Sequence, residues 1–264
     1  MAFRDLPQPG NPHRLTVYQH LLPRRSIARF AADSGRVHVR FSAEAREGWL
    51  KPTDPLFCTI RSWDQKAEMA LGKNIEDQFQ PIAEALARDN GAVVKPDQHK
   101  AITDMFLLWQ LRRAAAAEPV ADVMAHGLTP DPTLDRDEQE RLEAMGISFV
   151  RPDGFFPGRV IAGIQLLRQL DTAWCMGWHA VRWGVLRAVD CEFVVADALV
   201  DPALLPVAPA VYLAAQMPDR SLDLNGVSKI NHLALRASSR YCFARDFDKC
   251  PLPNALVRAI TDGR

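Results

Sequence analysis

An α+β fold, predominantly helical and built as a single domain with a small sheet of short strands, is what this sequence predicts. Three observations carry that expectation. Residues 97–117 (DQHKAITDMFLLWQLRRAAAA) are apolar almost all round, as a central buried helix is. Ile75, Phe79, Ile82, Ala83 and Leu86 fall on helical spacing and define a core stripe. Arg36 to Phe41 (RVHVRF) alternates polar and apolar, as a half-buried strand does.

Taken in order, residues 1–12 are rich in proline and polar side chains and predict a loose lead-in to a domain spanning 13–264. Leu15 and Val17 suit a short strand, and Pro23 suits the first turn of a helix, where its missing N–H costs nothing. Residues 42–62 read as loop around Pro52 and Pro55. A helix then runs over 62–88, with Ser62 as its N-cap and Gly72 as a point where it kinks or splits. If it is continuous, Glu68 lies about 20° from Ile75 at 100° per residue, so a carboxylate sits on the apolar face. Asp97 caps the central helix, and Ile102, Phe106, Trp109 and Arg113 share one of its stripes. Arg112 sits beside Met105 and Leu108. Residues 119–158 predict an irregular excursion that holds a short acidic helix, Asp135 to Met145. Val160 to Thr172 is helical, Trp183 to Val200 gives two short strands, and Val211 to Ala215 gives another. Ser228 to Ala244 reads as one helix through Ile230, Leu233, Ala234, Ala237 and Tyr241. A last short helix falls near 253–261.

The formal net charge is zero, which argues against an overall electrostatic steer toward nucleic acid or membrane. The charge is uneven, however. Residues 1–40 hold seven arginines against Asp5 and Asp33, so a local basic surface is compatible with the neutral whole. Five cysteines without a C-x-x-C pair disfavour a disulfide framework and point to the cytoplasm. No apolar run approaches a membrane span, and the N-terminus lacks a signal-type apolar core.

The order of motifs resembles one family. QHLLPRRSIARF at 19–30 is similar to the Q-H-x-V-P-x-x-Y-L-x-x-F opening of the bacterial DUF4238 family, a domain of unknown function. SGRVHV at 34–39, FLLWQLRR at 106–113, PVAPAVYLA at 206–214 and SKINHLALRASSRYCFA at 228–244 resemble later pieces of it. AEMALGKNIEDQF at 67–79 is similar to its paired glutamate motif, E-x-x-L-x-x-I-E, and EFVVADALV at 192–200 to its F-x-T-S-D-N-P-V stretch. Two departures stand out. Ser-Asp-Asn-Pro reads Ala196-Asp197-Ala198-Leu199 here, and Ser26 stands near the Tyr of the opening. The resemblance covers about residues 13–245 and brings no established activity with it.

The polar residues in apolar surroundings are the site candidates. His20 has the chemistry of a general base, a phosphate donor or a ligand; its ordinary use is bonding a backbone carbonyl. Glu68 and Arg113 form a natural buried ion pair, which is structural unless it tunes an acid or base nearby. Asp197, at a strand end, is either a site carboxylate or a turn aspartate. His20, Glu68, Glu76 and Asp197 have the donors for a divalent metal ion, without any H-x-x-x-H spacing to support one. Arg24, Arg25 and Arg29 suit phosphates or form a solvated face, and Trp174, Trp178 and Trp183 suit base stacking or a core. The chain carries no P-loop, G-x-G-x-x-G or G-x-S-x-G motif. The resulting expectation is a hydrolase acting on nucleic acid or a nucleotide, of the kind a bacterial toxin or defence effector uses. His20 is then the acid/base, Glu68 its partner, Arg113 the anion binder, Asp197 a second carboxylate, and Arg24 and Arg25 bind substrate. The alternative is a non-catalytic binding or regulatory protein in which the same residues are structural.

Overall fold

The computed structural model describes residues 5–43 and 46–252. In chain order it holds β1 (Tyr18–His20), α1 (Arg24–Ala28), β2 (Val37–Phe41), β3 (Glu47–Leu50), β4 (Cys58–Ile60), a π-helix (Ala67–Gly72) running into α2 (Lys73–Arg88), and α3 (His99–Ala117). There follow β5 (Val123–Met124), α4 (Arg136–Ala144), β6 (Phe155–Phe156), α5 (Gly158–Cys175), β7 (Trp183–Ala188) and β8 (Val195–Ala196). The chain closes with β9 (Leu204–Ala208), β10 (Val211–Ala215), β11 (Arg220–Leu222), α6 (Leu224–Ala237) and β12 (Tyr241–Ala244). The helix expected near 253–261 lies outside the described residues.

The fold is α+β but mixed, which corrects the expectation of a predominantly helical chain. Helices take 40% of the described residues and strands 18%, in four small sheets. β9 and β12 leave no strand signal in the sequence, because they are short and pair across long stretches of chain. β9 (LLPVA) contains Pro206, which argues against a central strand; β9 is the outermost strand of its sheet, where a missing N–H is tolerated. β12 (YCFA) continues the spacing of the helix before it, yet it pairs antiparallel with β2, Phe243 opposite Val39.

The chain forms two compact units. The first comprises residues 1–21, 55–78 and 103–179. It contains two small antiparallel pairs, β1 with β4 and β5 with β6. Its core gathers Trp63, Ala67, Ala162 and Leu166, with Leu21, Leu71 and Leu111 packed against them. The π-helix packs on α5, and Gly163 permits that approach: a Cβ there would stand 2.2 Å from Asp64 Oδ1. Asp64, rather than Ser62, caps the helical run, accepting from the Ala67 N–H at 2.9 Å. Ser62 Oγ is held instead by Thr59 Oγ1 at 2.6 Å. Within residues 119–158, α4 begins on a capping box in which the Asp135 carboxylate accepts from the Glu138 N–H.

The second unit comprises residues 22–54, 79–102 and 180–264. It holds two four-stranded sheets, ordered β11-β7-β10-β9 and β3-β2-β12-β8. Asn231 of α6, fully buried, accepts from the Val194 N–H and donates to the carbonyls of Glu192 and Pro251, so one amide side chain satisfies three backbone groups. Phe30 meets Phe243 edge-on at 5.6 Å, and Phe193 stacks on Tyr212 at 4.6 Å. The Tyr212 hydroxyl donates to the Val194 carbonyl, and burial raises its pKa well above the usual tyrosine range.

Asp197 ends the closing helix. Its Oδ1 accepts from the Ser239 N–H at 2.7 Å, and its Oδ2 accepts from the Arg240 N–H and the Ser239 hydroxyl, both at 2.9 Å. That turn stops α6 at Ala237 and sends the chain into β12. Asp197→Ala is expected to cost about 1–2 kcal/mol, at ordinary net hydrogen-bond strengths. The loss would read out as a lower denaturant midpoint, with faster amide exchange at Ser239 and Arg240.

Candidate functional site

The first unit holds the densest set of motif side chains, and it is built around Arg112. The Arg112 side chain is 1% exposed. Its Nη1 donates to Glu76 Oε1 at 2.6 Å, and its Nη2 donates to Glu68 Oε2 at 3.3 Å. The same Glu68 oxygen accepts from the Trp63 indole N–H at 2.7 Å. The guanidinium carbon lies 5.5 Å from the centre of the Trp63 ring. One arginine fork thus joins two carboxylates beside an aromatic face, a geometry that a lysine point charge does not reproduce.

Local chain chemistry places each part. Trp63 follows a turn held by Gln19 of β1. The buried Gln19 amide oxygen accepts from the Ser62 and Trp63 N–H groups at 2.8 and 3.3 Å, and its Nε2 donates to the Trp63 carbonyl at 2.9 Å. Glu68 and Glu76 are eight residues apart, which on a regular α-helix would leave them about 80° apart in azimuth. The π-helix between them widens the turn and lets both reach Arg112. Gly72, the last π residue, leaves room for the guanidinium: a Cβ would stand 2.3 Å from Arg112 Nη2.

A second buried ion cluster lies in the same unit. Glu143 Oε2 accepts from Arg61 Nη2 at 2.9 Å and from Arg159 Nε and Nη2 at 2.9 and 2.8 Å. Arg159 Nη1 also donates to Asp5 Oδ2 at 2.6 Å. Burial lowers the Arg61 pKa, and Glu143 only partly offsets it. For Arg159 burial works in the same direction, but Glu143 and Asp5 outweigh it. Burial also raises Asp64 above the usual carboxylate range, against the Ala67 N–H.

The residues singled out from sequence divide between the units. His20, Glu68 and Arg113 belong to the first, and Asp197, Arg24 and Arg25 to the second. His20 is half-buried and ends β1, opposite Cys58. The arginine that takes up Glu68 is Arg112, the neighbour of the expected Arg113. Arg24 is exposed, and Arg25 pairs with Glu84 at 2.5 Å. Arg29 instead turns inward, donating to Val207 O, Gln80 Oε1 and Ser26 Oγ, and burial lowers its pKa to about 10. Of the tryptophans, Trp174 donates its indole N–H to Asp104 Oδ1 at 2.8 Å, Trp178 stacks on Phe106, and Trp183 is buried.

Among the described residues, no group of three or more His, Cys, Asp or Glu side chains is arranged to hold a metal ion. No helix among them is long and apolar enough to cross a membrane. A groove of about 630 Å³ opens in the second unit, lined by Leu186, Leu204, Ile230 and Leu233 with Arg220 and Lys229; none of the candidate residues lines it. Comparison with protein-family models, curated proteins and solved structures finds no match to the chain.

Proposed function

We propose that this is a non-catalytic binding or regulatory protein in which the polar motif residues hold the fold. The observation that carries the reading is how the motif carboxylates are occupied. Glu68 serves an indole and a guanidinium, Glu76 serves the same guanidinium, and Asp197 is filled by three donors of one turn. A general acid or base needs an open lone pair within reach of its substrate. The E-x-x-L-x-x-I-E resemblance fits the same role. This chain has one more residue between Leu71 and Ile75 than that motif, and the π-helix absorbs it while both glutamates stay on Arg112. No disulfide joins the described cysteines, four of which are buried, and this fits a reducing cytoplasm.

One observation favours a hydrolase acting on nucleic acid or a nucleotide. Glu68 and Glu76 keep 16% and 26% of their side-chain surface exposed, so an edge of the cluster meets solvent. The two readings separate in one assay. Labelled single strands, duplexes and nucleoside triphosphates would be incubated with the wild type, His20→Ala and Glu68→Gln, with magnesium, with manganese and with chelator. The binding reading expects no turnover above buffer. Turnover by the wild type that both variants lose would replace it with the hydrolase.

A further inference from the structure

We propose that the outward face of α5 pairs with the same face of a second copy of this chain, antiparallel and about a two-fold axis, to form a weak dimer. The proposal goes beyond the binding reading and does not depend on it. α5 belongs wholly to the first unit. One of its faces is buried: Val160, Ala162, Gly163, Leu166 and Leu170 point inward, and the helix packs on the π-helix. The opposite face is apolar as well. Ile164 and Leu167 are 54% and 51% exposed, Met176 just past the helix end is 78% exposed, and Cys175 is exposed beside it. A shallow groove of about 460 Å³ runs along these side chains. Large apolar side chains exposed in one strip mark an interaction face.

The charges on that face select the occupant. Residues 160–176 hold one cation, Arg168, and one acid, Asp171. Both are exposed, and among the described residues neither side chain is paired, although the two stand three residues apart on one helix. The Thr172 hydroxyl is satisfied within the helix, donating to the Arg168 carbonyl at 2.8 Å. A neighbouring groove shared with α3 adds Leu107, Gln110 and Leu111, and no further charge. Ile164, Arg168, Asp171 and Cys175 follow spacings of four, three and four, which keeps them within about 60° of azimuth, as on the seam of a helix pair.

That seam is self-complementary in one orientation. Positions 164, 168, 171 and 175 lie symmetrically about the midpoint between Gln169 and Leu170, and so do Leu167 and Thr172. A two-fold axis through the midpoint sets Arg168 against Asp171 of the partner subunit, twice over, and Ile164 against Cys175 of the partner subunit. A parallel pair would set like charges against each other. An unrelated partner would need the inverse charges at the same spacing, whereas a second copy supplies them by symmetry. α5 has 18 residues and is about 27 Å long. A contact confined to one such helix pair falls below about 1,200 Å², the class of weak and transient complexes. Its exposed ion pairs fix orientation more than affinity.

The test is sedimentation velocity of the full chain across the micromolar range, under reducing conditions. The dimer fraction should rise with concentration. Arg168→Asp and Asp171→Arg should each weaken dimerisation about tenfold or more, since each sets like charges face to face. Mixed in equal amounts, the two variants should associate again, because two acids on one face then meet two arginines on the other. The double variant Arg168→Asp/Asp171→Arg should dimerise like the wild type. Both side chains are exposed, so each variant should keep the wild-type circular dichroism spectrum. Orientation is read by oxidation with diamide. Ile164→Cys should cross-link to Cys175 of the partner subunit, as located by peptide mapping. The wild type should not cross-link, because antiparallel helices hold the two copies of Cys175 about 16 Å apart along the axis, beyond the reach of a disulfide. A monomer at every concentration overturns the proposal and leaves the face to a different partner. A dimer that neither charge reversal weakens, single variants that stay apart when mixed, or a Cys175–Cys175 cross-link in the wild type also overturns it.

Discussion

Replacing Glu143 by alanine should destabilise the first unit by about 3–5 kcal/mol or more, the cost of leaving buried charge unpaired. The expectation follows from how little water reaches the cluster: Arg61, Glu143 and Arg159 are 3%, 2% and 8% exposed. One carboxylate oxygen accepts from both guanidinium groups, so its removal takes the shared acceptor from two cations at once. Asp5, 43% exposed, would still serve Arg159, but among the described residues Arg61 would keep only the Asp5 backbone carbonyl. Glu143→Gln should lose less, because its amide oxygen still accepts. A triple variant, Glu143→Leu with Arg61→Met and Arg159→Met, should recover much of the loss, since well-packed apolar groups often match a buried ion cluster. Denaturant unfolding checks the ranking, and amide exchange in α4 and α5 locates the damage. A Glu143→Ala midpoint equal to wild type would mean that the cluster contributes little.

Legibility in the sequence followed the range of the forces involved. The strand at 36–41 and the helix at 97–117 were readable because local period decides them; they appear as β2 (Val37–Phe41) and α3 (His99–Ala117). β12 was not readable, because Leu233, Ala237 and Tyr241 keep helical spacing and the signal that ends the helix is Asp197, some forty residues earlier. β9 was hidden by Pro206, whose acceptability depends on being at a sheet edge, a fact of topology. The π-helix carries no local signature beyond Gly72, whose reason is the approach of Arg112. In the candidate site the glutamate–arginine pairing could be anticipated, but the choice of arginine could not. α3 is apolar all round, so no moment orients it, and only the packing of the unit decides which of two adjacent guanidinium groups meets Glu68. The pairing of His38 with Trp49 is likewise absent from local sequence, because residues 42–62 carry loop signals and that register exists only once β2 and β3 pair.

Removal of Arg112 should be the second large effect, about 3 kcal/mol and below the Glu143 loss. A buried pair broken from one side costs about 3–5 kcal/mol, and here both orphaned carboxylates keep some access to water, which moves the figure to the lower end. At about 2–4 °C per kcal/mol for a chain of this size, the thermal midpoint of Arg112→Ala should fall by roughly 6–12 °C. Arg112→Lys should fall between the two, since an ammonium keeps the charge but lacks the fork that joins Glu68 to Glu76. Adding Glu68→Gln and Glu76→Gln to Arg112→Ala should restore part of the stability, because neutral amides no longer repel across the emptied site. A double-mutant cycle between Arg112→Ala and Glu68→Gln then isolates their coupling, expected at about 0.5–3 kcal/mol for groups in contact. If the glutamates and Arg112 were instead a binding site for anionic substrate, Arg112→Ala would relieve no structural need. Its thermal midpoint would stay at the wild-type value while only ligand affinity changed. The sign of that single melt therefore separates a fold-holding cluster from a substrate-holding one.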